Sequence, residues 1–410
     1  MAFYDELLKC HAATLPAMDQ LVQARVNRYA WLPIVVTLFS LFPETQGNYG
    51  VPYLLYDYRH GFVKRGLLGV PFMPIHHLTR IGFVTIELAM LAVALFAIYR
   101  ALSRAIFANK QIAQITAILL CAPTMLPHLA QMFLPTDTVL FALLGASLLC
   151  LIRLNPLPAM AVSLLLCLVA LFVHEAYLLA MYPALLCVFL HLWRRKSLPL
   201  GMIATHIAVM FITFLLINHF GALKGDPAKV YAEAQARVAF PLDVQLFRLM
   251  HQTMAQYRRE SMDFIFNRPF MQAFALAFVF AAPYFWFVGR LLRRCMKASG
   301  YSRTQMLLVT LLCCSPLMLM PLATDWPRWV SNCCICASLF CLFMYCVDTD
   351  GGPVETAMLQ FANDVDLFAW FGYTVALGSF GGLYLTSADR LIYGYYHVVP
   401  PGSSTLGKGF

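Results

Sequence analysis

The segment Tyr56-Asp57-Tyr58-Arg59-His60-Gly61-Phe62-Val63-Lys64-Arg65-Gly66-Leu67-Leu68-Gly69 sets a carboxylate and a histidine among three cations, between two apolar stretches. A carboxylate beside guanidinium and ammonium groups stays ionised and can accept a proton, while the cations can hold a phosphate through charge-assisted hydrogen bonds. Those residue types suit attack by a hydroxyl on a carbon whose leaving group is a phosphate, which needs a base for the incoming proton and positive charge for the departing oxygen. Asp57 is the candidate base and Glu44 its rival; Arg59, His60, Lys64 and Arg65 are candidate phosphate contacts. In the plainer alternative, Lys64 and Arg65 snorkel to lipid phosphates and Asp57 merely pairs with Arg59.

Other polar residues interrupt the apolar sequence at a few places. Asp137, after Pro135-Thr136, is either a helix cap or part of a site. His174-Glu175 lies between two apolar runs with almost no loop, where an ionisable pair is costly unless solvated or used. Asp325 and Arg328, three residues apart and flanked by Trp326 and Trp329, form either an ion pair beneath an aromatic belt or a substrate contact. Arg258 and Arg259 add two cations from a second polar segment.

The elements that must position these residues are membrane helices. Hydrophobic residues make up 61% of the 410 and charged ones 12%, with a mean hydropathy of +0.70, against roughly 45–50% and 25% in soluble domains. Crossing the hydrocarbon core takes about 20 apolar residues. The pattern predicts an all-α, polytopic transmembrane bundle of about eleven spans, at 29–43, 81–100, 111–126, 137–153, 157–173, 176–193, 200–219, 269–289, 305–321, 329–347 and 367–386. Residues 1–28 read as a cytoplasmic, amphipathic lead-in without a cleavable signal peptide, 29–386 as one transmembrane domain, and 387–410 as a C-terminal tail.

Orientation follows from the short basic connections, which are retained in the cytoplasm. Five of them agree on a cytoplasmic N-terminus: residues 9–28, 100–110, Arg153, 194–196 and 290–303. The sixth inward segment, Asp348 to Asp366, is acidic and breaks the pattern. The two long loops, 44–80 and 220–268, then face outward together with Asp137, His174-Glu175 and Asp325–Arg328, so the unexplained polar residues share one compartment. Both loops are rich in cations, and an anionic ligand at headgroup level is the simplest use for them.

Inward anchors account for much of the net charge of +9, so nucleic acid is not implied as a partner. Of the thirteen cysteines none falls in 44–80 or 220–268, and Cys333-Cys334-x-Cys336 lacks the second pair or histidine of a zinc site. No metal is required by any spacing, although a divalent cation could bind through Asp57, Asp137 or Glu175.

The run Gly61-Phe62-Val63-Lys64-Arg65-Gly66-Leu67-Leu68-Gly69, taken with Asp325-Trp326-Pro327-Arg328-Trp329, resembles bacterial multispan proteins of surface-polysaccharide type. The arrangement as a whole is similar to the GT-C class of integral-membrane glycosyltransferases. That resemblance implies a plasma-membrane protein with an inside N-terminus, and a long first outer loop with short interfacial helices and a catalytic Asp or Glu. Its partners would be membrane lipids, a polyprenyl-phosphate-linked sugar and a saccharide or lipid-linked acceptor. Asp57 matches the catalytic position best, with Glu44 second. The first loop carries no Asp-Asp or Glu-x-Asp pair, and the arginine-plus-ten-plus-glycine spacing of some O-antigen polymerases is absent. A flippase or transporter of lipid-linked saccharides, an O-antigen-type polymerase and a noncatalytic assembly protein are the other classes. The sequence contains no convincing internal repeat of the kind many transporters carry.

Overall fold

A computed structural model describes residues 28–40, 50–122, 124–132, 134–221, 226–242, 247, 256, 259, 268–321 and 326–379. Among these, the regular elements are helices, and one isolated parallel bridge joins Leu78 to Val238. In chain order the described α-helices are α1 Leu32–Phe39, α2 Pro52–Leu55, α3 Arg80–Ala101, α4 Ser103–Ile106, α5 Lys110–Cys121, α6 Leu126–Met132, α7 Pro135–Arg153, α8 Pro156–Val173 and α9 Tyr177–Ala180. They continue with α10 Tyr182–Arg194, α11 Leu200–Phe220, α12 Pro227–Gln235, α13 Arg268–Ala298, α14 Arg303–Cys314, α15 Trp326–Val347, α16 Pro353–Asn363 and α17 Leu367–Ser379.

Six stretches among the described residues are long and apolar enough to cross a membrane: α3, Lys110–Ala130, α7, α8, α11 and Arg328–Val347. Of the other predicted spans, 269–289 falls within α13, while 176–193 and 305–321 fall on shorter or broken helices, for reasons visible in the sequence. Pro183 lacks the N–H needed to continue a helix, and the run 176–193 divides into α9 and α10 beside it. Pro316 similarly follows the end of α14, where the chain tightens into a 3₁₀ turn over Ser315–Leu319.

The spans sort into centre and periphery. The hydrophobic window of Lys110–Ala130 is 94% buried and that of Arg328–Val347 83%, whereas those of α3, α8 and α11 are 33%, 39% and 22% buried. The outer faces of these peripheral helices present large apolar side chains, among them Phe96, Leu165, Phe211 and Ile212. An apolar exterior of that extent needs lipid rather than water around it. Close approach within the bundle uses small residues, as where Gly145 of α7 faces Ala97 and Ile98 of α3.

At the end of the bundle carrying the basic connections, the acidic segment 348–366 supplies their counter-charges. Arg104 pairs with Asp350 at 2.8 Å, and Asp364 pairs with Arg294 and, at 3.9 Å, with Arg290. The segment that broke the charge pattern along the sequence therefore lies with the basic connections in space. Its helix, α16, buries Val354, Met358 and Phe361 against the bundle.

Candidate functional site

At the other end, the first long loop folds into the bundle rather than lying along the membrane surface. Tyr53, Leu54 and Tyr56 of this loop are buried. Short helices do form, at α2, Tyr58–His60 and Leu67–Phe72, with Gly61 between the last two in the left-handed region at φ +94°. Gly69 packs so closely on the backbone of Tyr56 that a Cβ there would lie 1.6 Å from the Tyr56 carbonyl oxygen. Gly69→Ala is expected to displace the loop, at the upper end of the roughly 1–3 kcal/mol that overpacking costs. Thermal unfolding in detergent checks this, with Gly201→Ala, a position open to space, as the comparison.

Asp57 anchors that loop. It caps the turn Tyr58–His60 by accepting the Arg59 backbone N–H at 3.0 Å, and both of its oxygens take the Arg59 Nε at 2.9 Å. Arg237, from the second long loop, stands 3.5 Å from the same carboxylate and donates to the carbonyls of Leu55 (3.1 Å), Phe72 (2.6 Å) and Ile75 (3.3 Å). The Leu78 N–H donates to the Arg237 carbonyl and the Ala239 N–H to that of Leu78, so the two long loops are stitched together. Glu233 acts on Arg59 as well, so this station holds two acids against two arginines.

A second station forms around Glu175, at the end of α8. Arg65 grips its carboxylate with Nε at 2.9 and 3.1 Å and Nη2 at 2.6 Å, a two-pronged pair drawn from residues 110 apart in sequence. Arg65 adopts φ +65°, a conformation that costs a non-glycine residue about 1–3 kcal/mol. The adjoining Lys64 donates its backbone N–H to the Gly221 carbonyl, at 2.8 Å, which ties the loop to the end of α11. Burial lowers the pKa of the Lys64 ammonium, opposed by the charge of Glu175. For Glu175, burial acts upward, but the charge and hydrogen bonds of Arg65, with His174 and Lys64, outweigh it and hold the carboxyl well below the usual range.

His174 completes this station. Its Nδ1 accepts the Ala176 N–H at 3.1 Å, which assigns the proton of the neutral ring to Nε2 and makes that nitrogen a donor. Burial, then Arg65, push its pKa well below 6.5, so the ring stays neutral.

Below both stations, Arg328 at the start of α15 donates to Asp137 in the first turn of α7, and both side chains are buried. Asp137 is therefore not the cap of α7, a position held by Leu134 without a side-chain bond. Its described partner is Arg328, in a pair between helices; the expected pairing of Asp325 with Arg328 falls outside the described residues. Asp325, Glu44 and Arg258 lie outside the described residues, as does the His60 side chain; Arg259 is exposed. Arg328 also acts on His174, and Asp137 on Glu87, a buried acid in α3 that sequence reasoning passed over. Glu87 was detectable as the lone carboxylate in an otherwise apolar span. Arg237 had no comparable signal, because its value lies in three carbonyls that the fold brings to it. Among the described residues no group of three or more His, Cys, Asp or Glu side chains stands together as a metal-ligand set.

Compared with protein-family models, curated proteins and solved structures, the chain matches none of them.

Proposed function

We propose that this protein is a GT-C-like membrane glycosyltransferase that moves a sugar from a polyprenyl-phosphate-linked donor to an acceptor on the extracytoplasmic side, in surface-polysaccharide or glycoconjugate assembly. The observation that carries the proposal is the closure of the first loop over paired acid–arginine stations at the end of the bundle opposite the basic connections. In this reading the chain has eleven spans in a bacterial plasma membrane, with its N-terminus in the cytoplasm. The phosphate meets Lys64 and Arg65, and His174 donates its Nε2–H to a phosphate or sugar oxygen. Asp57 is the base that takes the acceptor's hydroxyl proton. Its carboxylate is engaged by Arg59 and Arg237; Arg59, whose side chain is 41% exposed, swings from carboxylate to phosphate, while the buried Arg237 stays in place.

The flippase alternative draws on the buried Glu87, Asp137 and Arg328, because transporters place charge at membrane depth. The two readings part in vesicles holding the purified protein and a fluorescent lipid-linked saccharide. The transferase reading expects no acceleration of the lipid's movement between leaflets above protein-free vesicles; rapid equilibration would support the flippase. Sidedness is tested in intact cells, after replacement of the native cysteines. Cysteines introduced at exposed His76 or Lys229 should react with an impermeant thiol reagent without lysis, and reaction only after lysis would place this end of the bundle inside.

A further inference from the structure

Glu87 is the one carboxylate within α3, and it points inward. It lies seven residues from Arg80, at the end nearer the two stations, and fourteen from Ala101 at the other, which is about 10 Å and about 21 Å along a helix rising 1.5 Å per residue. Glu87, Leu91, Ala94 and Ile98 are all buried and recur at the spacing of a single helix face. Gly145 of α7 packs on Ile98 at the far end of that stripe. One span, Lys110–Ala130, separates α3 from α7 in sequence, so the two run in the same direction across the membrane. The register that sets Gly145 beside Ile98 then brings Asp137, about two turns before Gly145, to within about one turn of the level of Glu87, about three turns before Ile98.

The two acids differ in what surrounds them. Glu87 is 1% exposed, its Oε1 accepts no hydrogen bond, and among the described residues no cation pairs with it. Asp137, whose charge acts on Glu87, is held by the Arg328 guanidinium. The other titratable groups on the elements packed against α3 are His128 of α6, on which Arg328 acts, Cys150 and Arg153 at the opposite end of α7, and Arg104 of α4, which is bound to the acidic segment. Burying an ionised carboxylate without a cation is prohibitive, and a neighbouring negative charge adds to the cost, so of the two acids Glu87 is the one that must be neutral.

We infer that Glu87 is a proton-binding site, a neutral carboxylic acid at membrane depth whose proton exchanges with solvent from the end of the bundle that carries the two stations. Its ligand is the hydrogen ion. The inference holds under the transferase and the flippase readings alike. Arg328 joins this acid pair to His174, on which it also acts, so the proton site is continuous with the Glu175 station.

The test is infrared spectroscopy of the full-length protein in detergent at neutral pH. The carbonyl stretch of a protonated carboxylic acid is expected above the amide band, shifted to lower frequency in deuterated water as the proton exchanges, and lost in Glu87→Gln. Glutamate isotopically labelled at its side-chain carboxyl carbon, incorporated into the unsubstituted protein, should shift the same band, and labelled aspartate should not; this arm decides the assignment if Glu87→Gln does not fold. Glu175, held ionised by Arg65, adds nothing to the band. Absence of the band would overturn the inference, as would a band that survives Glu87→Gln or follows labelled aspartate. A band indifferent to deuterated water would overturn it too, because it would mark a sealed acid and not a site that takes up and releases a proton.

Discussion

Arg65→Ala is expected to destabilise the protein by about 3–5 kcal/mol, the cost of leaving one member of a buried ion pair without its partner. Arg65 and Glu175 are each 11% exposed at the side chain, so water cannot replace the lost guanidinium. The double variant Arg65→Leu/Glu175→Leu should recover most of the loss, because the penalty belongs to the stranded carboxylate and not to the missing contact. Denaturant unfolding in detergent micelles reads both values. An Arg65→Ala variant as stable as the wild type would mean that the pair is solvated and the loop is not seated on α8.

The same station gives a pH dependence whose sign can be worked out. His174 has its pKa depressed below 6.5, so as pH falls through 6.5 the unfolded chain takes up a proton that the fold refuses, and stability declines. Glu175 is depressed below 4.5, so its contribution is complete above that value and is lost on further acidification. Stability should therefore fall in two stages on the acid side, and His174→Gln should remove the first.

Asp57→Asn is expected to lower sugar transfer at least ~100-fold, since general-base catalysis contributes roughly 10²–10⁴. The amide keeps an oxygen to cap the Arg59 N–H, but it cannot take a proton and no longer neutralises Arg59 and Arg237. Donor binding at Lys64 and Arg65 should persist, which separates loss of the base from loss of the site. Glu44→Gln is the parallel variant for the rival base. Unchanged transfer in Asp57→Asn would leave Asp57 as the anchor of the loop and nothing more.

Much of this arrangement was legible in the sequence wherever a single physical requirement acts alone. Hydrocarbon thickness dictates span length, and the predicted runs 81–100, 137–153, 157–173 and 200–219 coincide with α3, α7, α8 and α11 within two residues at each end. Asp57, Arg59, Arg65 and Glu175 stood out as charges without a cytoplasmic anchoring role. What could not be read was which charge meets which. Arg65 with Glu175 and Asp137 with Arg328 are separated by 110 and 191 residues, beyond the reach of any local spacing rule. Burial of Tyr53 and Tyr56 could not be read for a related reason: tyrosines suit an interface and a loop plug equally well, and the Gly69–Tyr56 crossing decides between them. The acidic segment 348–366 looked anomalous because a charge rule counted along the chain cannot see Arg104 and Arg294 waiting for it.

The central claim, that this chain transfers a sugar from a lipid phosphate, is tested most directly by purified wild-type protein in liposomes with a radiolabelled polyprenyl-phosphate sugar and a set of saccharide and lipid-linked acceptors. The account predicts label moving from the donor into product, with the freed polyprenyl phosphate appearing in step and Asp57→Asn abolishing both. Label that remains on the donor for every acceptor tried, while the protein carries that donor across the vesicle membrane, would contradict it.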